Sequence, residues 1–257
     1  MAEIQFILAL IMGAFIGATA GYLGSLMVTK RAALMGCSLG HLTIPGITLA
    51  LIYGFDVSLG ALLFLAFGIV LIWLFERRTK LPMEALTAVV FASSVAVAFL
   101  YLPEDETKIA LLGNISQISL LSTVIIAILS LAVFLASKKI FSDMVLMSVS
   151  EDLAKARGVN VGKTNFIYLV CIALTVALGV RIVGGLLTAA LVAIPACTSR
   201  NLSKNLFQYS YGGMIFGSLA CIIGITAFKL TGFDAGLLVI ITSAIFFLIS
   251  LLFVRKS

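Results

Sequence analysis

The chain has 257 residues, of which 62% are apolar and only 11% are charged. Its long uncharged runs exclude a water-soluble globular protein of this length. The formal net charge of +6 comes from short Lys and Arg clusters between the apolar runs, which excludes the basic stripe of a nucleic-acid-binding protein. The composition therefore predicts one membrane-embedded domain over residues 1–257, with no nucleic-acid partner.

Nine uncharged runs predict an all-α polytopic integral membrane protein with about eight or nine transmembrane helices. The runs cover residues 4–28, 34–53, 57–75, 84–102, 118–136, 165–180, 182–198, 209–228 and 235–254. The two runs beside Arg181 have about 16 residues each, fewer than the roughly 20 that a full crossing needs. We expect these two runs to be half-embedded or broken.

The positive charges predict the orientation, because cytoplasmic loops are enriched in Lys and Arg. If the N-terminus is outside and the nine runs alternate, 14 of the 17 basic residues fall in the cytoplasm. These residues lie at positions 30–31, 77–80, 138–139, 155–163, 200–204 and 255–256. The pattern predicts a multi-pass protein with its C-terminus in the cytoplasm.

A polar stretch at about residues 138–164 carries the signals of a short cytoplasmic helix. Ser150 can cap the helix, Glu151 and Asp152 suit its positive N-terminal end, and Gly158 can close it in a left-handed conformation. Such a helix either fits a groove on a partner protein or lies at the membrane interface. The residues expected to contact a partner are Ser150, Glu151, Asp152, Ala154, Ala156, Arg157 and Gly158.

Residues 158–164 are similar to a phosphate-binding loop but depart from its spacing. Three residues, where the motif has four, separate Gly158 from the Gly-Lys pair. A helical pattern, and not a buried strand, precedes this segment. We therefore predict that the chain binds no nucleotide, is not an enzyme, and depends on another subunit for any ATP hydrolysis.

The single histidine, His41, lies within an apolar run, where ionisable groups are costly and usually mark a transport pathway. Cys37 lies one helical turn earlier on the same face, so thiolate and imidazole can approach one zinc-like or copper-like cation. Pro45 lacks the N–H that would engage the carbonyl of residue 41, which predicts a kink. The alternative is a histidine hydrogen-bonded to a neighbouring helix beside a small core cysteine.

A second break is predicted at the glycine pair Gly184 and Gly185, which opens a run of small residues containing Pro195. Small residues permit close helix packing, and the proline permits a bend in protein-lined or water-lined surroundings. The segment suits a pathway-lining element and, equally, a tightly packed dimer face. The predicted pathway residues are Pro45, Gly46, Gly184, Gly185 and Pro195.

Together these segments resemble the permease family of zinc, manganese and iron ABC importers. The family's early pattern Gly-Asp-Ala-x-Ser-His-Ala-x-x-Pro-Gly is matched at Gly36, His41, Pro45 and Gly46, with Cys37 in place of the aspartate and Gly40 in place of the serine. Residues 150–160 are similar to the family's coupling segment, and residues 183–200 are similar to its later glycine- and proline-containing run.

The resemblance implies inward transport of a divalent zinc, manganese or iron ion by alternating access across a prokaryotic inner membrane. It implies no permanently bound cofactor and a homodimer embedded in lipid. It also implies two ATPase subunits at the coupling segment and an extracytoplasmic metal-binding protein. Two alternatives stay open: an ATP-independent metal carrier or channel, and a non-transporting membrane scaffold.

Overall fold

The structure is a computed structural model that describes residues 3–30, 33–55, 57–79, 81, 83–101 and 120–253. Within these ranges the chain forms eight long helices and one short helix. They are α1 (Glu3–Thr29), α2 (Ala33–Tyr53), α3 (Val57–Arg78), α4 (Met83–Tyr101), α5 (Leu120–Val149), α6 (Glu151–Ala156), α7 (Val161–Leu202), α8 (Leu206–Thr231) and α9 (Ala235–Leu251). The predicted all-α class is confirmed.

Five helical segments in the described ranges are long and apolar enough to cross a membrane. They are Glu3–Thr29, Leu59–Glu76, Leu120–Val149, Val161–Val180 and Leu206–Thr231, and Ala85–Val97 and Ala235–Leu251 are shorter apolar helices. Only 28% of the apolar window of α5 is buried, so most of this helix faces outward, as contact with lipid allows. The exact number of crossings stays a prediction.

The centre of the bundle is α1, which packs mainly against α8 and α7. Gly17 and Gly21 of α1 face Gly217 and Gly213 of α8, and a Cβ at any of the four would overlap a backbone carbonyl of the partner helix. The two helices therefore approach so closely that only glycine fits at these positions.

Gly184 breaks α7, with φ 79° and ψ 168°. The hydroxyl of Thr188 donates to the carbonyl of Gly184 at 2.5 Å, and a Cβ at Gly179 would lie 2.7 Å from the Thr188 methyl carbon. In a straight helix residues 179 and 188 would be about 14 Å apart. The chain therefore folds back at Gly184, and α7 is a helical hairpin. Its arms, residues 161–183 and 185–202, correspond to the two short runs predicted at 165–180 and 182–198, with the break at Gly184 and not at Arg181.

The two arms of the hairpin run in opposite directions, so the first and last residues of α7 lie at the same end of the bundle. Ile182, near the tip, lies beside Gly13 of α1, whereas Ala196 of the second arm lies beside Gly24. The tip is thus about 15 Å along α1 from Glu3. We call the opposite end, where Lys30, Lys163 and Arg200 lie, the basic end.

The structure corrects the predicted boundaries of the polar stretch at 138–164. The sequence pattern ended the preceding helix at residue 136, but α5 continues to Val149. The reason is an inward-facing apolar stripe that continues beyond the two lysines at 138 and 139 and is buried at Ile140, Met144 and Met147. In addition, α7 starts early, at Val161, because the Asn160 side chain accepts the backbone N–H of Lys163 at 3.0 Å.

Candidate functional site

His41 is half-buried in α2, beside α4. Its imidazole meets the ring of Phe91 edge to face, with centroids 5.1 Å apart and planes at 65°. Pro45 is buried inside α2, which continues as one helix through it. Gly46 lies so close to Gly60 of α3 that a Cβ would overlap the Gly60 carbonyl. Packing against α3 and α4 therefore fixes the helix that carries the imidazole.

Cys37 is the predicted second metal ligand beside His41. Its side chain lies outside the part of the chain that the structure describes. Among the residues that the structure describes, no three His, Cys, Asp or Glu side chains form a cluster that could hold a metal ion. A metal site shared by Cys37 and His41 stays a prediction.

The other predicted pathway residues lie in the α7 hairpin. Gly184 forms its tip, Pro195 is buried in the second arm, and Gly185 is described only in its backbone. One face of the second arm packs on α1, where the carbonyl of Val192 lies against Gly24. Another face is only half-buried, at Ala190, Ala193, Ile194 and Cys197. The arm thus keeps one face available for a pathway or for a second copy of the chain.

The short helix α6 forms with the predicted capping residues. The hydroxyl of Ser150 accepts the backbone N–H of Leu153 at 3.3 Å. Gly158 has φ 81° and follows the last turn, as a left-handed closing residue. The exposed side chains of this helix and its C-cap belong to Glu151, Asp152, Leu153, Lys155, Ala156 and Arg157.

Ala154 does not belong to this exposed surface. Its side chain is 0% exposed, since α6 rests on α5 and α7, so it anchors the helix to the chain itself. The expectation that Ala154 contacts a partner is therefore wrong. Sequence reasoning instead missed Leu153, which is 46% exposed; its signal is a large apolar side chain in an otherwise polar or small-residue helix.

A polar network at the basic end was also missed. The ammonium of Lys30 donates to Asn165 Oδ1 at 3.1 Å, and Asn165 Nδ2 donates to Glu76 Oε1 at 3.5 Å. Burial lowers the pKa of Lys30, and the negative charges of Glu151 and Glu76 oppose that shift. The network joins the ends of α1, α3 and α7 by hydrogen bonds. The negative charge of Glu151 in α6 also acts on Lys30.

The profile of the ABC 3 transport family matches residues 3–254. The chain belongs to the ABC 3 transport family. Since its relatives are permease components of ABC importers, it is a multi-pass membrane permease and a transport subunit. The resemblance inferred from three short segments is confirmed along nearly the whole chain.

Similar proteins include membrane proteins of uptake systems that are named for two metals. The chain is 27% identical to the manganese import system permease protein ScaB of Streptococcus pneumoniae, over 97% of this chain and 90% of the relative. It is 29% identical to the high-affinity zinc uptake system membrane protein ZnuB of Haemophilus influenzae, over 95% of each chain. The solved structure of PsaBC from Streptococcus pneumoniae in complex with Fab has a TM-score of 0.80 and 26% identity, covering 94% of this chain and 89% of that chain.

Proposed function

We propose that the chain is the permease of an importer for a divalent transition-metal ion, with manganese and zinc as the first candidates. The observation that carries the proposal is the family match over residues 3–254, to which the names of the manganese and zinc relatives add the class of substrate. The chain acts as a homodimer with two cytoplasmic ATPase subunits and receives the ion from an extracytoplasmic metal-binding protein.

In this proposal the basic end faces the cytoplasm and the N-terminus lies outside. The support is the charge pattern, since cytoplasmic ends of membrane proteins are enriched in Lys and Arg and Lys30, Lys163 and Arg200 share one end. This orientation also puts α6 in the cytoplasm, where an ATPase can reach it.

The ion would pass near α2 and the α7 hairpin. His41 offers an imidazole, which suits zinc, and Cys37 would add a thiolate one turn away. Pro45 and Gly46 hold the histidine helix, and Gly184, Gly185 and Pro195 allow the hairpin to bend. ATP binding and hydrolysis in the partner would then shift the population between outward-open and inward-open states.

Uptake into proteoliposomes tests the proposed function. The permease is reconstituted with its ATPase, and entry of manganese and zinc is measured with ATP, with ADP and with no nucleotide. We expect uptake with ATP alone, because the ATPase supplies the free energy. Equal uptake without ATP would support the secondary carrier or channel instead.

His41→Ala is expected to lower metal uptake at limiting ion concentration. Removing a direct ligand should cost at least the roughly 10–100-fold that loss of an outer-shell partner costs in metal affinity. Phe91→Leu is the matched control, since it removes the ring contact of His41 but no metal donor. If both variants reduce uptake equally, the histidine serves packing and not metal binding.

Ala156→Trp is expected to prevent co-purification of the ATPase without changing the thermal stability of the permease. Ala156 is exposed, so the indole has room in the isolated chain but would obstruct a protein docked on α6. Ala154→Leu should lower the thermal stability of the permease without blocking the surface on which the ATPase docks. It overpacks a fully buried position, which costs about 1–3 kcal/mol of stability. Normal ATPase association with Ala156→Trp would remove α6 from the docking surface.

A further inference from the structure

A groove with aromatic walls lies between α5 and α8 at the basic end. It has a volume of about 640 Å³, and Tyr22 of α1 forms its floor. The Tyr22 ring lies 5.7 Å from Phe141 of α5 and 5.8 Å from Tyr211 of α8, and the Tyr211 ring lies 4.4 Å from Phe207. We call the space lined by these four rings the aromatic groove.

The charged side chains that line the aromatic groove are both cationic. Lys138 of α5 and Arg157, just after α6, lie along it, and its lining contains no Asp or Glu among the described residues. Both cations are exposed. The other polar side chains of the lining besides the tyrosines are Ser142 and Ser210. The groove therefore combines aromatic and aliphatic walls with two positive charges, which complements a ligand with an apolar part and an anionic part.

The depth of the groove decides which kind of ligand fits. Tyr22 precedes Lys30 by eight residues, about 12 Å along the axis of α1, so the floor lies within the apolar span Glu3–Thr29. Arg157 lies beyond the end of α5, outside every apolar span of the described residues. At that depth in a membrane the surroundings are hydrocarbon, so the floor of the groove suits a lipid acyl chain and not a water-soluble partner.

We propose that the aromatic groove binds one anionic phospholipid. Its phosphate lies between Lys138 and Arg157, and an acyl chain follows Phe141, Phe207 and Tyr22. Basic pockets between membrane helices near the cytoplasmic surface bind anionic headgroups, and tyrosine is enriched at the membrane–water interface. The site goes beyond the proposed function, because it involves neither the transported ion nor ATP.

The bound lipid would join two parts of the permease. It fills the space between α8 and the last turns of α5, and α5 leads directly into α6 through Ser150. An anionic lipid in this place stabilises the orientation of α5, and with it the position of α6, against the rest of the bundle. We therefore expect thermal stabilisation by anionic lipid that zwitterionic lipid does not provide.

Native mass spectrometry of the purified full-length permease tests the site. The protein is titrated with phosphatidylglycerol, with phosphatidylcholine of the same acyl chains, and with inorganic phosphate. We expect phosphatidylglycerol to bind most tightly and Lys138→Gln to weaken it about fivefold, the effect of one basic residue near a membrane surface. Phe207→Ser should weaken both lipids, because Phe207 is 68% exposed and forms the groove wall. Lys163→Gln is the control, since Lys163 is exposed but does not line the groove.

Three results would overturn the proposal. Equal loss of phosphatidylglycerol binding in Lys138→Gln and Lys163→Gln would mean that anionic lipid is attracted by the general positive charge of the basic end and not bound by the aromatic groove. Inorganic phosphate that displaces phosphatidylglycerol at equal affinity would indicate a simple anion site without an acyl chain. A change of oligomeric state in Phe207→Ser, with lipid binding intact, would assign the groove to a second copy of the chain.

Discussion

Gly17→Ala should destabilise the permease by about 1–3 kcal/mol or more, and visibly reduce the yield of folded protein. The added methyl carbon would overlap the carbonyl of Gly217, which cannot move unless the whole of α8 moves. Because α1 is the centre of the bundle, the displacement spreads to its contacts with α7 and α5. Thermal unfolding in a fixed detergent, with size-exclusion chromatography to detect aggregation, measures the loss.

Gly13→Ala provides the matched control for this prediction. It makes the same chemical change one turn earlier in α1, but there the new methyl would meet only the terminal carbon of Ile225 among close atoms, with the Cys221 Cβ at 3.4 Å. A side-chain end can rotate away, so the loss of stability should be much smaller. Equal effects of Gly13→Ala and Gly17→Ala would refute the idea that backbone contact between α1 and α8 sets the stability.

Gly184→Ala should be nearly as damaging, for a different reason. With φ 79° and ψ 168°, Gly184 occupies a backbone region that is essentially restricted to glycine and costs other residues about 1–3 kcal/mol. The strain falls at the tip of the α7 hairpin, so the arms must shift or the turn must open. We expect a lower unfolding temperature and, in the reconstituted transporter, reduced metal uptake.

The same substitution elsewhere in α7 should have the opposite sign. Gly162 lies in the first turn, and the nearest atom to an added Cβ is Asn160 Oδ1 at 3.8 Å. Glycine within a helix costs roughly 0.5–1 kcal/mol relative to alanine, so Gly162→Ala should leave stability unchanged or raise it. A Gly184→Ala protein as stable as Gly162→Ala would show that the hairpin does not need its glycine.

Local signals in the sequence predicted most of the helices. Apolar runs long enough for a membrane located α1–α4, and the capping residues Ser150 and Gly158 located α6. The end of α5 was mispredicted because the charged pair at 138 and 139 is typical of a loop, while burial of every third or fourth residue beyond it keeps the chain helical. A hydropathy value averages all residues of a window, whereas packing depends only on the residues of the buried helix face.

Contacts between distant residues could not be predicted in the same way. Lys30 and Asn165 are separated by 135 positions, and Asn165 and Glu76 by 89; nothing local to any of them indicates the others. His41 was found because an ionisable group in an apolar run is rare, yet its neighbour Phe91 depends on how α2 packs on α4. Ala154 was misplaced because six residues are too few for a helical pattern to reveal which side faces inward.

The α7 hairpin also determines on which side of the membrane α8 begins and α9 ends. Because both of its ends emerge at the basic end, residues 161–202 add no net passage, and counting them as one span would invert the side assigned to α8 and α9. The amide of Asn201 donates to the Ser250 hydroxyl at 2.9 Å, which brings the end of α9 back beside the end of α7. A reporter fused after α9 therefore shares its compartment with one inserted at Gly158, whatever number of crossings a hydropathy plot gives.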